Sequence, residues 1–150
     1  MRVVIQRVSM ATVSIDKVEK STMGSGLLIL LGIESADDQS DIDWLTGKIL
    51  RLRIFDDEQG VMNKSITDVN GEIMVVSQFT LHASTKKGNR PSYIKAAPPA
   101  MALKLYNDFV NTIERQQQKP VKTGEFGAMM DIELINSGPV TILIDTKNKE

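Results

Sequence analysis

The chain has no cysteine. That absence removes disulfides, thiolate chemistry and cysteine-type zinc sites together, and it suits a reducing cytosol. Histidine occurs once, at His82. Metal sites usually need histidine or cysteine clusters, and the remaining carboxylate groups, Asp37-Asp38 and Asp56-Asp57-Glu58, read as solvated turns. No metal and no cofactor is expected. Long apolar runs are also missing. The longest, Leu27 to Leu31 and on through Gly32 to Ile33, is far too short to span a bilayer. The start, Met1-Arg2-Val3-Val4-Ile5-Gln6-Arg7, carries charges inside its apolar pattern and no small-residue cleavage site, so it does not read as a signal peptide. The expected location is therefore cytoplasmic, with no membrane partner. Excess charge is absent as well. At a net charge of −1 no global field draws the chain to nucleic acid, so any polyanion site must be a local patch.

What is present fits one domain over residues 1–150. That length can bury a real core, and 41% hydrophobic and 25% charged residues are ordinary for a globular protein. Residues 2–9 alternate loosely and predict a first strand. Ala11 to Asp16 predicts a second, with Val13 and Ile15 on one face. Asp16-Lys17 reads as a turn into a short third strand ending near Met23. Gly24-Ser25-Gly26 is a turn before a buried strand from Leu27 to Glu34. Ser40, with Asp43 three residues on, predicts a capping-box start to a helix of about 12 residues carrying Ile42, Leu45, Ile49 and Leu52 on one stripe. Gly47 within it argues for a close packing contact.

Leu52 to Phe55 predicts a short strand, Asp56 to Gly60 a turn, and Asn63 to Gly71 a polar loop ending in a hairpin-type Asn70-Gly71. His82 to Pro99 is a long loop. Pro98-Pro99 opens a second helix, with Ala102, Leu105, Phe109 and Ile113 on its apolar face and Gln116 to Pro120 at its end. Met130 to Leu134 alternates as a strand, Asn136-Ser137-Gly138-Pro139 interrupts it, and Val140 to Ile144 is the last strand. Many strands with two helices between them predict an α+β fold with a mostly antiparallel or mixed sheet.

The rest of the chain is organised around Ile73-Met74-Val75-Val76-Ser77-Gln78-Phe79-Thr80-Leu81. It opens as a continuous apolar run, which predicts a strand buried on both faces. With side chains alternating, Gln78 and Thr80 share a face with Met74 and Val76, and Ser77 and Phe79 share the other with Val75 and Leu81. Buried polar groups cost free energy unless paired. Two explanations stand: hydrogen bonding within the core, or a strand that ends in a pocket these groups line.

Catalytic signatures are mostly incomplete. A Ser-His-Asp triad would need His82 beside Ser77 or Ser84, and a lone histidine next to a buried strand is more often packed or solvated. Ser14-Ile15-Asp16-Lys17 and Ser92-Tyr93-Ile94-Lys95 match S-x-x-K, and Lys122-Thr123-Gly124 matches K-T-G, as in penicillin-recognising serine hydrolases. The S-D-N element is missing, however, and the chain is much too short. Two features remain. From His82 to Lys104 no residue is acidic, while Lys86, Lys87, Arg90, Lys95 and Lys104 are basic. Gly88 permits close backbone approach there and Tyr93 offers a stacking face. This is a solvated loop or a phosphate-contacting patch. Gly138-Pro139 lies between two strand-like runs although proline cannot donate to a ladder. It is an edge bulge or turn, or a rigid corner whose freed carbonyls point at something.

Together these stretches resemble the D-aminoacyl-tRNA deacylase family, over nearly the whole chain. The resemblance runs from Met1-Arg2-Val3-Val4-Ile5-Gln6-Arg7-Val8 through Leu52-Arg53-Ile54-Phe55-Asp56-Asp57 to Val76-Ser77-Gln78-Phe79-Thr80-Leu81. It continues in Lys87-Gly88-Asn89-Arg90-Pro91-Ser92, Thr123-Gly124-Glu125-Phe126-Gly127-Ala128 and Asn136-Ser137-Gly138-Pro139-Val140-Thr141. Met129 departs from it, standing where the family commonly has an acidic residue, and Met130 matches the family methionine. His82 follows the strand where no fixed residue is expected.

The resemblance implies a barrel-like homodimer in which each Gly138-Pro139, with a cis peptide, inserts into the partner's site. It implies hydrolysis of the ester joining a D-amino acid, or wrongly attached glycine, to the 3′ end of tRNA. Ser77, Gln78 and Thr80 are then the catalytic group, beside the scissile ester together with Phe79. Carbonyls of Gly138 and Pro139 grip the α-ammonium and Arg7 holds their corner. Phe126, Gly127 and Met130 lie by the terminal adenosine. Lys86, Lys87 and Arg90 are the expected tRNA contacts. An aminoacyl ester is already activated, so orientation and polarisation can suffice. Thr80 as nucleophile would lack a proton acceptor, which favours an attacking water assisted by the adjacent ribose hydroxyl.

Overall fold

The two strands expected before Asp16 are one, β1 (Arg2–Ile15). This was established in a computed structural model that describes residues 1–149. Its buried positions, Val3 and Ile5, then Val8, then Ala11 and Val13, change phase twice. One change has a visible cause. From Val8 to Met10 the pairing with β8 (Asp131–Asp145) advances two residues in β1 for one in β8, so Ser9 is the extra residue of a bulge. The bend lets one strand serve two neighbours on its other side. Residues 2–8 pair with β3 (Gly26–Gly32), and residues 11–15 pair with β2 (Val18–Met23) across the Asp16-Lys17 turn.

The sheet runs β2-β1-β3-β6-β7, with β8 on the far side of β1. Strands β6 (Glu72–Ser77) and β7 (Lys122–Thr123) are parallel to their neighbours, and the other pairings are antiparallel, so the sheet is mixed as expected. Ser21 Oγ donates to the Thr123 carbonyl at 2.8 Å, drawing β2 towards β7. The sheet thereby nearly closes into a barrel. At the start of the β3–β6 pair a Cβ on Gly26 would lie 1.9 Å from the Glu72 carbonyl oxygen, so only glycine lets the two strands begin side by side.

Two cores result, one on each face of the sheet. Leu27, Ile29, Leu31, Ile73 and Val75 face the helices α1 (Gln39–Arg51) and α2 (Pro99–Gln117), meeting Ile42, Leu45, Ile49, Leu105, Phe109 and Ile113. Val8, Ala11, Val13, Met23, Leu28, Met74 and Val76 fill the barrel interior. Strands β3 and β6 are thus covered on both faces, as their unbroken apolar runs predicted. Each large side chain fully buried this way contributes about 1.5–3 kcal/mol.

Several local expectations are corrected. The cap of α1 is Asp38, whose carboxylate accepts from the Ser40 and Asp41 N–H groups while Asp41 reaches back to the Asp38 N–H. The capping box therefore sits two residues earlier than the Ser40/Asp43 pair. At Gly47 the atoms nearest to a Cβ belong to the guanidinium of Arg51 from its own helix, at 3.3 to 3.6 Å. The strand expected over Leu52 to Phe55 shrinks to β4 (Phe55–Asp56). It pairs with β5 (Met62–Lys64), which overlaps the start of the expected polar loop. Asp57 Oδ1 accepts from the Gln59 and Val61 N–H groups, folding that turn back on itself. Asn70-Gly71 is not a hairpin turn, because β6 pairs with β3 and β7 and not with β5. Finally, β8 is one continuous strand, in which residues 137–140 form a bulge and not a break while Asn136 stays paired with Val8.

Candidate active site

The central strand stops earlier than its alternation suggests. The Gln78 N–H donates to the Leu31 carbonyl at 2.7 Å, and the chain then coils into a 3-10 turn over Phe79–His82. Bonds from Leu81 N–H to the Gln78 carbonyl (3.2 Å) and from Ala83 N–H to the Thr80 carbonyl (3.0 Å) close it. Gln78, Phe79 and Thr80 therefore do not alternate across a sheet. They sit on a turn at the strand's end, half-buried except for Phe79, which is exposed. Of the two explanations for the polar residues, hydrogen bonding holds, but outside the core. Gln78 Nε2 donates to Thr80 Oγ1, so the pair satisfies itself, and it does so at the surface.

Arg2 fixes this turn from outside. Its Nη1 donates to the Leu81 carbonyl at 2.7 Å, while Nε and Nη2 hold Asp145 Oδ2 at 3.0 and 2.8 Å. Burial pushes the Asp145 carboxyl up, but hydrogen bonds from Arg2 and the Lys147 N–H outweigh it and hold the group below the usual aspartate range. His82 is buried, with its ring against Gly32 and, among the described residues, no hydrogen-bond partner for Nε2. The imidazole belongs to the packing under the turn.

The Gly138-Pro139 peptide is cis and lies at the tip of the β8 bulge. Gln6 faces Thr141 and Val8 faces Asn136, so Ser137, Gly138, Pro139 and Val140 are looped out opposite the single residue Arg7. Gly138, at φ +142°, has no room for a side chain, since a Cβ would lie 2.8 Å from Val140 Cγ2 and 3.0 Å from Arg7 Nη2. Arg7 Nε donates to the Ser137 carbonyl at 2.8 Å. Its Nη1 donates to the Ile54 carbonyl at 2.7 Å and meets Asp56 Oδ1 at 3.2 Å. Asn136 closes the neck of the bulge. Its Oδ1 accepts the Val140 N–H at 2.8 Å, and its Nδ2 donates to the Val140 carbonyl at 3.2 Å and Thr141 Oγ1 at 3.1 Å. Gly138 and Pro139 themselves are exposed. Asn136, Asp56 and Arg2 carry no catalytic signature, and only the paired geometry brings them out.

The structure does not bring the turn and the corner together within one chain. Ser77 pairs with Leu31, Leu31 with Val3 and Val3 with Ile144. The corner stands opposite Arg7, four residues further along β1. That is about 13 Å along the strands and about 14 Å across three strand spacings. Met130 packs on the barrel core that includes Val76, with its sulfur against Gly124. Phe126 rests on Tyr106 at 5.8 Å between ring centroids, and Tyr106 donates to the Val75 carbonyl at 2.7 Å. Burial pushes the Tyr106 phenol up to about 12. Phe126, Tyr106, Asn107, Glu114 and Thr123 are among the walls of a cleft of about 560 Å³ between α2 and the loop after β7. Gly127 is exposed beside it, and Lys86, Lys87 and Arg90 are exposed on the loop between the 3-10 turn and α2. Among the described residues no three His, Cys, Asp or Glu side chains converge as a metal site would need.

A family model described as D-Tyr-tRNA(Tyr) deacylase matches residues 4–145. The chain belongs to that family. A Bacteroides fragilis D-aminoacyl-tRNA deacylase is 65% identical over 150 residues, covering all of both chains. A Flavobacterium johnsoniae protein of the same name is 59% identical over the same span. Among solved structures, the c-Myc DNA unwinding element binding protein superposes with a TM-score of 0.92 at 39% identity, covering 97% of this chain and 98% of its own. A probable eukaryotic D-amino acid tRNA deacylase shares the fold, with a TM-score of 0.82 at 17% identity over 95% of this chain and 97% of its own.

Proposed function

We propose that this chain hydrolyses the ester between a D-amino acid, or glycine, and the 3′ end of tRNA. It acts in the cytoplasm as a homodimer. Each Gly138-Pro139 corner reaches the Ser77–Thr80 turn of the partner. The observation that carries this reading is the separation of corner and turn in one chain, together with the exposure of both Gly138 and Pro139. A corner stapled by Arg7 and Asn136 yet pointing at solvent is built to meet another surface.

The division of labour follows from the groups present. Carbonyls freed from the ladder at Gly138 and Pro139 accept the substrate's α-ammonium. An L side chain is then driven into the proline ring, while hydrogen or a D side chain points away. Because main chain alone makes this choice, the side chain's identity is ignored. On the other wall the ester lies over Ser77, Gln78 and Thr80. N–H groups at the start of a helical turn have no acceptor within it, which suits a polarised carbonyl oxygen. Water adds to the carbonyl carbon, the bond to the ribose oxygen breaks, and amino acid and tRNA 3′ hydroxyl leave. The ribose hydroxyl next to the ester relays the proton, accepting one from the water as it gives its own to the departing 3′ oxygen. Thr80 receives its hydrogen bond from an amide, a donor that cannot deprotonate it, which fits a positioning role. The cleft beside Phe126 takes the terminal adenosine.

The test is ester loss from matched D- and L-tyrosyl-tRNA. Selective loss of the D form is expected. Retention of both esters with measurable tRNA binding would instead make the chain an RNA-end binding module. Normal turnover of a tRNA lacking the neighbouring ribose hydroxyl would overturn the proton route.

A further inference from the structure

Aromatic residues are scarce: one tryptophan, two tyrosines and four phenylalanines. Phe55, Tyr106 and Phe109 are buried, and Trp44 and Phe126 are half-buried. Phe79 and Tyr93 are the exceptions, 58% and 39% exposed. They meet each other edge to face, with ring centroids 5.1 Å apart and planes at 74°. Such a contact uses one face of one ring, so the pair still presents free faces to solvent.

Their surroundings say what those faces are for. Phe79 follows Gln78 on the turn that carries Thr80. Tyr93 follows Ser92, which pairs with Ser84 through two main-chain bonds of 2.8 and 2.9 Å. That pair closes a loop whose tip carries Lys86, Lys87 and Arg90, all exposed, with Gly88 at φ +69°. The ring pair therefore stands between the group that holds the ester and a cluster of cations. A single RNA strand leaving an ester site presents next a sugar, a phosphate and a base. Aromatic faces take bases and cations take phosphates.

We propose that Tyr93, braced by Phe79, stacks the base that precedes the terminal adenosine of the tRNA acceptor strand, with the basic loop beside it meeting the flanking phosphates. This rests on the proposed deacylase reading and adds a second nucleotide subsite to it.

The test uses the intact protein and three D-tyrosyl esters: of adenosine, of the dinucleotide cytidylyl-adenosine, and of the same dinucleotide with an abasic first position. Removing one stacked base changes affinity by roughly five- to hundredfold. The intact dinucleotide ester should be turned over with a kcat/KM about tenfold above the adenosine ester, through KM, and the abasic one should lose that gain. Tyr93→Ala should abolish the gain, and Tyr93→Phe, which keeps the ring, should retain it. Equal turnover of intact and abasic dinucleotides would overturn the proposal. So would a Tyr93→Ala loss that is the same on adenosine and dinucleotide esters. Binding of uncharged cytidylyl-adenosine is measured in parallel. If the wild type cleaves no ester, the deacylase reading fails on its own. Weaker dinucleotide binding by Tyr93→Ala would then still support the stacking site, and unchanged binding would refute it.

Discussion

Asn136 holds the neck of the β8 bulge, and its removal tests whether that neck sets chiral selectivity. Asn136→Ala deletes the bonds to the Val140 N–H at 2.8 Å, the Val140 carbonyl at 3.2 Å and Thr141 Oγ1 at 3.1 Å. Thr141 is exposed, so water replaces its bond. Val140 is half-buried, and its two main-chain groups are left short of partners. A fully buried unsatisfied group costs about 1–3 kcal/mol. Partial access to water reduces this, so the variant should lose about 1–2 kcal/mol in all. For a chain of 150 residues that corresponds to a fall in Tm of roughly 3–8 °C. The effect on turnover should be larger than the effect on folding. With the neck open, Gly138 and Pro139 keep only the Arg7 bond to Ser137, and their carbonyls lose a fixed aim. Measured well below Tm, kcat/KM for D-tyrosyl-tRNA should fall by about 10–100-fold and the D/L ratio should fall with it. Asn136→Asp keeps the acceptor for the Val140 N–H but turns a carboxylate on the Val140 carbonyl, so it should fall between wild type and Asn136→Ala. A variant with lowered Tm but an unchanged D rate and D/L ratio would refute the reasoning, and Arg7 alone would then set the corner.

Other consequences can be measured separately. Gly138→Ala places a Cβ 2.8 Å from Val140 Cγ2 and 3.0 Å from Arg7 Nη2; D-tyrosyl-tRNA hydrolysis should drop by 100-fold or more, and retained activity would show that the corner tolerates displacement. Replacing Lys86, Lys87 and Arg90 together with alanine should lower the slope of log K against log salt for tRNA binding by about 2, from three single-strand phosphate contacts, and an unchanged slope would make the loop merely solvated. Burial pushes Asp41 up, but hydrogen bonds from Lys147, Thr146 and the Asp38 N–H hold it at about 2, below the usual value near 3.9. A depressed pKa stabilises fully above pH 4 and its contribution is lost as pH falls towards 2. Urea unfolding of wild type and Asp41→Asn should therefore converge by about 2 kcal/mol between pH 6 and pH 2, and parallel curves would contradict it.

The sequence was legible where period and environment agreed. β3, β6 and both helices were read from apolar runs and stripes because the strands are covered on both faces and each helix buries one unbroken stripe. The long strands were not. Ser9 and the Ser137–Val140 loop shift the period of two in β1 and β8, so one bent strand looked like two short ones. The end of β6 was hidden for the opposite reason. Ser77-Gln78-Phe79-Thr80-Leu81 keeps a strand-like alternation, and only the bond from Gln78 N–H to the Leu31 carbonyl marks where the ladder stops. The cap of α1 was ambiguous in kind: Asp38 and Ser40 both suit an N-cap, and the side chain of Asp41 at the third position decides between them. At the candidate site the residues came from their motifs, but the roles of Asn136 and Arg2 depend on which backbone group lies across from them, and no spacing records that.

That the two walls of the site lie far apart in one chain also gives the strictest test of the assembly. In the proposed two-fold dimer each corner would meet the other chain's turn, and both sites would depend on one interface. Ile135 and Leu143, 57% and 63% exposed on β8 on either side of the corner, offer apolar surface for it. Suppose Gly138→Ala removes the corner, and Ser77→Ala with Thr80→Ala removes the turn. Each protein alone is inactive. After subunit exchange, random pairing makes half of the dimers mixed. In a mixed dimer the Ser77/Thr80 variant supplies an intact corner to the intact turn of the Gly138 variant, while the other site is doubly broken. One working site in half of the dimers restores about a quarter of wild-type activity. If each corner served the turn of its own chain, every site would contain a lesion and mixing would restore nothing. Exchange is followed independently by native mass spectrometry of the mixed species. Mixed dimers present without recovered D-tyrosyl-tRNA hydrolysis would therefore eliminate the cross-subunit site, whatever the individual variants do.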